Sequence, residues 1–418
     1  MLVALFSNPA RTAPRDIPDG TAVEAPAEET PETAPPATHV LTGPTGLGTS
    51  AAHPTSTNSK VTETEPETAV VDYITLQVPN GPTGLGTSAA RAFAAAPVAE
   101  EQELELYCPP AVRDDVPLGE AVNESLVAWA EEVGIYPGQL DKVRKANFGR
   151  LIMLTHPGTD DHDRLLAAAK CILAEWATDD HFLDEDSLGA DAHIIGSRLG
   201  VAYASVDPVY LTEPYASQLQ QALMDEPVST AYQSAFEHLA RYASGSQVAR
   251  LHHELSVMYL AYNAEAVWRT AKRVPPVWEY LTHRYENSFL PPMVLVDPVA
   301  GYEVPAHEFA EGAVRRAFAT AGLASVILND LYSTSNESDE DFDLPKVIRL
   351  EEECSQQEAI RRSVEIHNEL MHRYEAEASM LSTLGSPALR RFLADIWAWL
   401  GGNREWHATT KRYHDDGS

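Results

Sequence analysis

Residues 161–186 read DHDRLLAAAKCILAEWATDDHFLDED. The apolar residues of LLAAAKCILAEW recur every three to four positions, the period of an α-helix with one buried face. Unbroken, the whole run would make about seven helical turns. It ends in carboxylates, at the place where a helix of this kind is still burying its face.

The same period recurs on either side. AVNESLVAWAEEVGI (121–135) puts Leu126, Val127 and Trp129 on one side, with Asn123 as a possible cap and Glu131 and Glu132 on another side. Further helical stretches include SQVARLHHELSVMYLAYNAEAVWRTAKR, HEFAEGAVRRAFATAGLASVILNDLYSTSNE, CSQQEAIRRSVEIHNELMHRYEAEASML and PALRRFLADIWAWLGGNREWHATTKRYH. Strand alternation is almost absent, and the separators (IYPGQ, HPGTD, DEPVS, RVPPV, LPPM) are turns built on Pro and Gly. The expectation is an all-α domain over residues 106–418.

Residues 1–105 differ in kind. Pro, Ala, Thr, Glu and Gly dominate, and Phe6, Tyr73 and Phe93 are the aromatic residues there. So little apolar surface cannot offset roughly 1–2 kcal/mol of backbone entropy per residue, so this segment reads as a disordered tail. The net charge of −32 argues against a nucleic-acid partner. Three well-separated cysteines, Cys108, Cys171 and Cys354, show neither metal-ligand spacing nor a disulfide framework, which makes a reducing cytoplasm the default. The start MLVALFSNPARTAPRD lacks a basic region ahead of its short apolar run, and no later stretch approaches the roughly 18 apolar residues of a membrane span.

Two polar constellations interrupt the helical pattern. In DDHFLDED, Asp180 and Asp184 share a face at helical spacing, and Asp179 points away from them, over Glu175, Trp176, Phe182 and Leu183. Carboxylates at the mouth of an apolar cavity repel one another unless a divalent cation lies among them; a solvated acidic helix end is the alternative. In NDLYSTSNE (329–337), Asn329, Ser333 and Glu337 follow at i, i+4 and i+8, so an amide oxygen, a hydroxyl and a carboxylate line one face. This hard-oxygen set suits Mg²⁺, and Asn and Ser are weak helix formers whose placement at these steps asks for a reason other than propensity. A helix fraying into the loop SDEDFD is the alternative here.

With both motifs in place the chain resembles the bacterial class I terpene cyclases, over roughly residues 107–415. In that family an Asp-rich motif and an NDxxSxxxE motif face each other across one helical bundle and hold three Mg²⁺ ions on a prenyl diphosphate. The resemblance implies that Asp179 binds two of the ions and that Asn329, Ser333 and Glu337 chelate the third, with Asp180 and Asp184 behind them. It also implies that Arg284, in EYLTHRYENS, and the pair Arg412 and Tyr413, in TTKRYH, hydrogen-bond the diphosphate. Asn336 stands where many relatives carry a Lys, and Arg412 is the compensating cation. Aromatic faces stabilise a carbocation without attacking it. Trp176, Phe182, Trp268, Tyr332, Trp397 and Trp406 are the candidates, each with ordinary core packing as the competing reading.

VWEYL, NDLYS, VEIHNELMH, GNREWH and the Pro/Ala-rich tail are similar to the 2-methylisoborneol synthase subgroup. That subgroup takes 2-methylgeranyl diphosphate from a partner methyltransferase and closes it to a bornyl-type cation quenched by water, with 2-methylenebornane as the product of proton loss. Homodimerism follows from the same resemblance. A chain-elongating prenyltransferase would need a second Asp-rich motif in place of NDLYSTSNE. A non-catalytic scaffold leaves the Asn329, Ser333 and Glu337 set without a purpose.

The tail holds one decamer twice, GPTGLGTSAA at 43–52 and 81–90. Without ionisable side chains it has no catalytic use, and Leu47 and Leu85 give each copy one apolar anchor. Two copies on one chain suit bivalent docking, and duplication by drift is the alternative. Such tails resemble the cargo-loading segments of encapsulin shells, which implies a shell protein as partner and an encapsulin compartment in the cytoplasm as location.

Overall fold

The computed structural model describes residues 105–184, 191–334 and 342–410. Among the described residues every regular element is a helix. Most of the long helices begin at a side chain that closes the first turn, as Ser, Asp and Asn do for otherwise unpaired backbone donors. Asp115 caps α1 (Val116–Val133). Helices α2 (Leu140–Ala146) and α3 (Phe148–Thr155) share Asn147 as C-cap and N-cap. Asp161 accepts from the amides of Asp163 and Arg164 to start α4 (His162–Asp179).

The seven turns expected of 161–186 are not one α-helix. The α-helical part stops at Asp179, and Asp180–Asp184 form a π-helical turn. Such a turn widens the backbone and re-aims its side chains.

Helices α5 (Ile195–Tyr203), α6 (Tyr215–Met224) and α7 (Pro227–Leu239) lead to α8 (Gly245–Ala271), which opens with a capping box between Ser244 and Gln247. Then come α9 (Val277–Glu286) and the short α10 (Leu290–Met293), α11 (Val296–Val299) and α12 (Ala306–Phe309). The last four are α13 (Gly312–Ser333), α14 (Leu344–Glu352), α15 (Gln356–Leu384) and α16 (Pro387–Thr409).

The bundle is made by α13 on α15, α1 on α3, α4 on α7 and α16 on both α3 and α13. Trp399, Trp406, Phe148, Phe318 and Phe392 are fully buried in its core, each worth about 1.5–3 kcal/mol by area removed from water. Backbone closeness sets α16. A β-carbon at Gly402 would lie 2.5 Å from the Leu154 carbonyl oxygen, and one at Gly401 would lie 2.6 Å from that of Pro110. The two glycines therefore seat α16 directly on α3 and on the segment before α1. No described helix is long and apolar enough to cross a membrane.

Candidate active site

Helices α2, α4, α8, α9 and α13 line a cavity of about 690 Å³. Asp179 enters it from the last residue of α4, and Asn329 and Ser333 from the last two turns of α13. The two motifs, far apart in the chain, thus open into one space.

A chain of hydrogen bonds turns Asn329. His407 of α16 is fully buried, and its Nδ1 lies 2.8 Å from the carbonyl oxygen of Asn403. That oxygen only accepts, so the ring proton is assigned to Nδ1 and Nε2 is the acceptor. Nε2 lies 3.0 Å from Asn329 Nδ2. With its NH₂ committed to His407, the Asn329 amide presents Oδ1 to the other side, where the Arg284 guanidinium donates to it at 3.3 Å.

Arg284 is held by a buried carboxylate. Its Nη2 donates to Asp330 Oδ1 at 2.5 Å, and its Nη1 to the Asn287 carbonyl at 3.2 Å. Asp330 also accepts from Tyr280 Oη at 2.9 Å and from the Leu344 amide at 3.1 Å. Burial pushes the Asp330 carboxyl up, and Arg284 and Tyr280 pull against that rise.

A second cationic group was not anticipated from sequence. Arg269 lines the cavity, donates to Glu265 at 2.7 Å and reaches the Leu183 carbonyl of the π turn at 3.1 Å. Burial opposes ionisation of Glu265, yet His283, Arg269 and Arg284 around it hold its carboxyl below the usual range. Lys142 and Lys145 complete the basic side of the wall.

Asp180 takes no part in the lining. It accepts from Tyr136 Oη at 2.7 Å and from Lys142 Nζ at 2.8 Å, which anchors the π turn to α2. Of the aromatic candidates, Trp176 and Trp268 face the cavity. Phe182 does not: the π turn carries its ring away, against His181 and beneath the Arg198 guanidinium at 4.7 Å. Trp406 backs the wall instead of forming it, packed edge-on to Trp176 at 6.2 Å with its Nε1 donating to the Ala146 carbonyl at 3.0 Å. Tyr332 lies against His407, and Trp397 stacks on Tyr374, both outside the lining. Tyr262, Tyr280, Phe289 and Phe342 supply the remaining aromatic surface. Leu47, Leu85, Glu337, Arg412 and Tyr413 lie outside the described residues, as does the side chain of Asp184.

The donors fit Mg²⁺. A carboxylate, an amide oxygen and a hydroxyl meet in one cavity, with the amide turned by His407, and Mg²⁺ takes few protein oxygens and leaves the rest to water and phosphate.

Residues 170–373 match the family model described as terpene synthase family 2, C-terminal metal binding. A 2-methylisoborneol synthase of Saccharopolyspora erythraea is 39% identical over 325 residues, covering 76% of this chain and 91% of the relative. The chain belongs to the terpene synthase family. A synthase of the same description from Streptomyces ambofaciens is 37% identical over 329 residues, covering 76% of this chain and 74% of its own. The crystal structure of the Streptomyces coelicolor 2-methylisoborneol synthase with Mg²⁺ and 2-fluoroneryl diphosphate superposes with a TM-score of 0.71 at 35% identity, covering 74% of this chain and 97% of that one. An ancestral reconstruction, SVS_A2, shares the fold at 19% identity with a TM-score of 0.64, covering 75% of this chain and 91% of its own.

Sequence reasoning missed Arg269, Asp330, His407 and Glu265 in this terpene synthase. EAVWR does place Glu265 and Arg269 one helical turn apart, and Asp330 is the second letter of NDLYSTSNE. For His407 no local pattern exists, because its partner Asn329 belongs to another helix.

Proposed function

We propose that this synthase ionises 2-methylgeranyl diphosphate with Mg²⁺ and closes the resulting cation to 2-methylisoborneol. One observation carries the reading: Asp179 of α4 and Asn329 and Ser333 of α13 face a single cavity whose wall also holds Arg284, Arg269 and aromatic rings. The relatives of 36–39% identity, described as 2-methylisoborneol synthases, support the choice of substrate.

In this reading Asp179 on one side, and Asn329, Ser333 and Glu337 on the other, hold the metal ions, three by resemblance. Bound there, Mg²⁺ supplies neutralisation of the charge that develops on the leaving diphosphate. Arg284 and Arg269 add guanidinium forks matched to phosphate oxygens, and Arg412 and Tyr413 are further diphosphate ligands by resemblance. Asp330 keeps Arg284 extended into the cavity, and His407 keeps the Asn329 oxygen facing the same way. The carbon–oxygen bond breaks with its electron pair leaving on diphosphate. Trp176, Trp268, Tyr262 and Phe289 then surround the cation with π faces and exclude bulk water.

Residues 106–418 are the catalytic unit in this proposal, and residues 1–105 a tail that docks to an encapsulin shell through Leu47 and Leu85 of the repeated decamer. A methyltransferase supplies the substrate, and the synthase works as a cytoplasmic homodimer. Deleting both decamers abolishes co-purification with the shell; unchanged co-purification removes the docking role.

The test of the activity is gas chromatography with mass detection after incubation with Mg²⁺ and geranyl, 2-methylgeranyl or farnesyl diphosphate. A C11 alcohol from the methylated substrate alone is expected. A C15 product from farnesyl diphosphate would move the protein to another branch of the family.

A further inference from the structure

Glu175 is out of place in a cavity meant to be inert. It lines the wall one helical turn before Asp179, beside Trp176 and among residues that include Tyr262 and Met258. Its side chain is buried, 4% exposed, and Oε1 meets no hydrogen-bond partner among the described residues. Three other buried acids each pair with an arginine: Glu254 with Arg315, Asp297 with Arg250 and Asp330 with Arg284. A carboxyl kept without a partner in an aromatic wall costs stability, so packing gives no reason for it.

An alcohol product gives one. Diphosphate departs with its oxygen, so the hydroxyl oxygen of an alcohol comes from a water admitted to a cavity that otherwise excludes water. That molecule needs a hydrogen-bond acceptor to fix it and to aim a lone pair at the cation. We propose that the Glu175 carboxyl holds the water that captures the final carbocation, and so decides between alcohol and olefin. This rests on the reading that the synthase makes 2-methylisoborneol.

The step balances as follows. A water hydrogen is donated to Glu175 and a water lone pair forms the new carbon–oxygen bond. The oxonium so formed loses one proton to the released diphosphate, leaving the neutral alcohol. Without the fixed water, the cation instead loses a proton from an adjacent carbon to the same diphosphate, and an olefin results. Position supports the role. Glu175 precedes Asp179 on α4 by four residues, about 6 Å of helical rise, close enough to share the cavity and set back from the leaving group. Burial also pushes its carboxyl well above the usual range. Burial thus works against the anionic form, the form a carbocation would alkylate.

The experiment uses the full chain with Mg²⁺ and 2-methylgeranyl diphosphate and reads the ratio of C11 alcohol to C11 olefin. Glu175→Met fills a similar volume without an acceptor, and the ratio is expected to fall about fivefold or more, the worth of one ordinary hydrogen bond. Glu175→Gln keeps a carbonyl acceptor and is expected to retain most of the alcohol. The ratio is taken within one sample, so loss of folded protein does not move it. In H₂¹⁸O the wild-type alcohol should carry the label. An unchanged ratio in Glu175→Met, an equal loss in Glu175→Gln, or an unlabelled alcohol overturns the proposal. A wild type that makes no C11 alcohol removes the underlying reading instead, and the proposal with it.

Discussion

Replacing His407 by Phe should weaken Mg²⁺-dependent diphosphate binding while leaving the fold in place. The ring packs edge-on to Trp406 at 4.8 Å and to Phe289 at 5.8 Å, and Phe preserves both contacts. What Phe lacks is the acceptor that lies 3.0 Å from Asn329 Nδ2. Loss of a buried acceptor costs about 1–3 kcal/mol, and the amide recovers part of it by turning Nδ2 toward another partner, which withdraws Oδ1 from the cavity. The same range, read as binding, is a loss of roughly 5- to 150-fold. Calorimetric titration of inorganic diphosphate in the presence of Mg²⁺ measures it without catalysis. His407→Gln offers an acceptor to Asn329 and a donor to the Asn403 carbonyl, and should recover most of the affinity. If Phe binds within twofold of wild type, or Gln is as weak as Phe, the orientation of Asn329 does not depend on His407.

Three further outcomes follow from packing and charge. Asp330→Ala removes the carboxylate shared by Arg284 and Tyr280, which keep their contacts to Asn287, Asn329 and the Phe342 carbonyl, and should lower stability by about 1–3 kcal/mol in chemical denaturation. Gly402→Ala sets a β-carbon 2.5 Å from the Leu154 carbonyl oxygen, and should cost about 1–3 kcal/mol and lower the melting temperature. Burial lowers His156 and His367 from 6.5 to about 4. Their contribution is complete above pH 6.5 and is lost as pH falls toward 4, because the unfolded chain takes up protons that the folded rings refuse. Melting temperature should therefore decline across that window, and His367→Gln should make the decline shallower.

The helical class of the fold was legible because apolar periodicity is a property of each segment alone. Asn329 and Ser333 were legible for the same reason: four residues apart on one helix share a face in any tertiary setting. The reading faltered where geometry departs from the α period, since nothing in DDHFLDED announces the π turn that takes Phe182 away from the cavity. It also could not reach contacts made across the bundle. Trp406 and Trp176 are equivalent as letters, yet the indole that donates to the Ala146 carbonyl is fixed behind the wall while the other forms it. Glu175 reads as an ordinary member of a helix until its surroundings are known.

The cavity lining has a consequence for how ligands arrive. Lys142, Lys145, Arg269 and Arg284 stand there with the carboxylates Glu175, Asp179 and Glu265, and three of those cations are already paired, Lys142 with Asp180, Arg269 with Glu265 and Arg284 with Asp330, inside a chain whose net charge is −32. The wall thus adds little uncompensated positive charge, and fields reaching beyond the Debye length of about 8 Å are screened in physiological salt. An acidic chain gathers divalent cations and turns back bare polyanions. The species best able to enter is a prenyl diphosphate already carrying metal, its charge largely cancelled on approach. Encounter rates should then follow the concentration of the metal complex more than that of free diphosphate, with added monovalent salt blunting the discrimination.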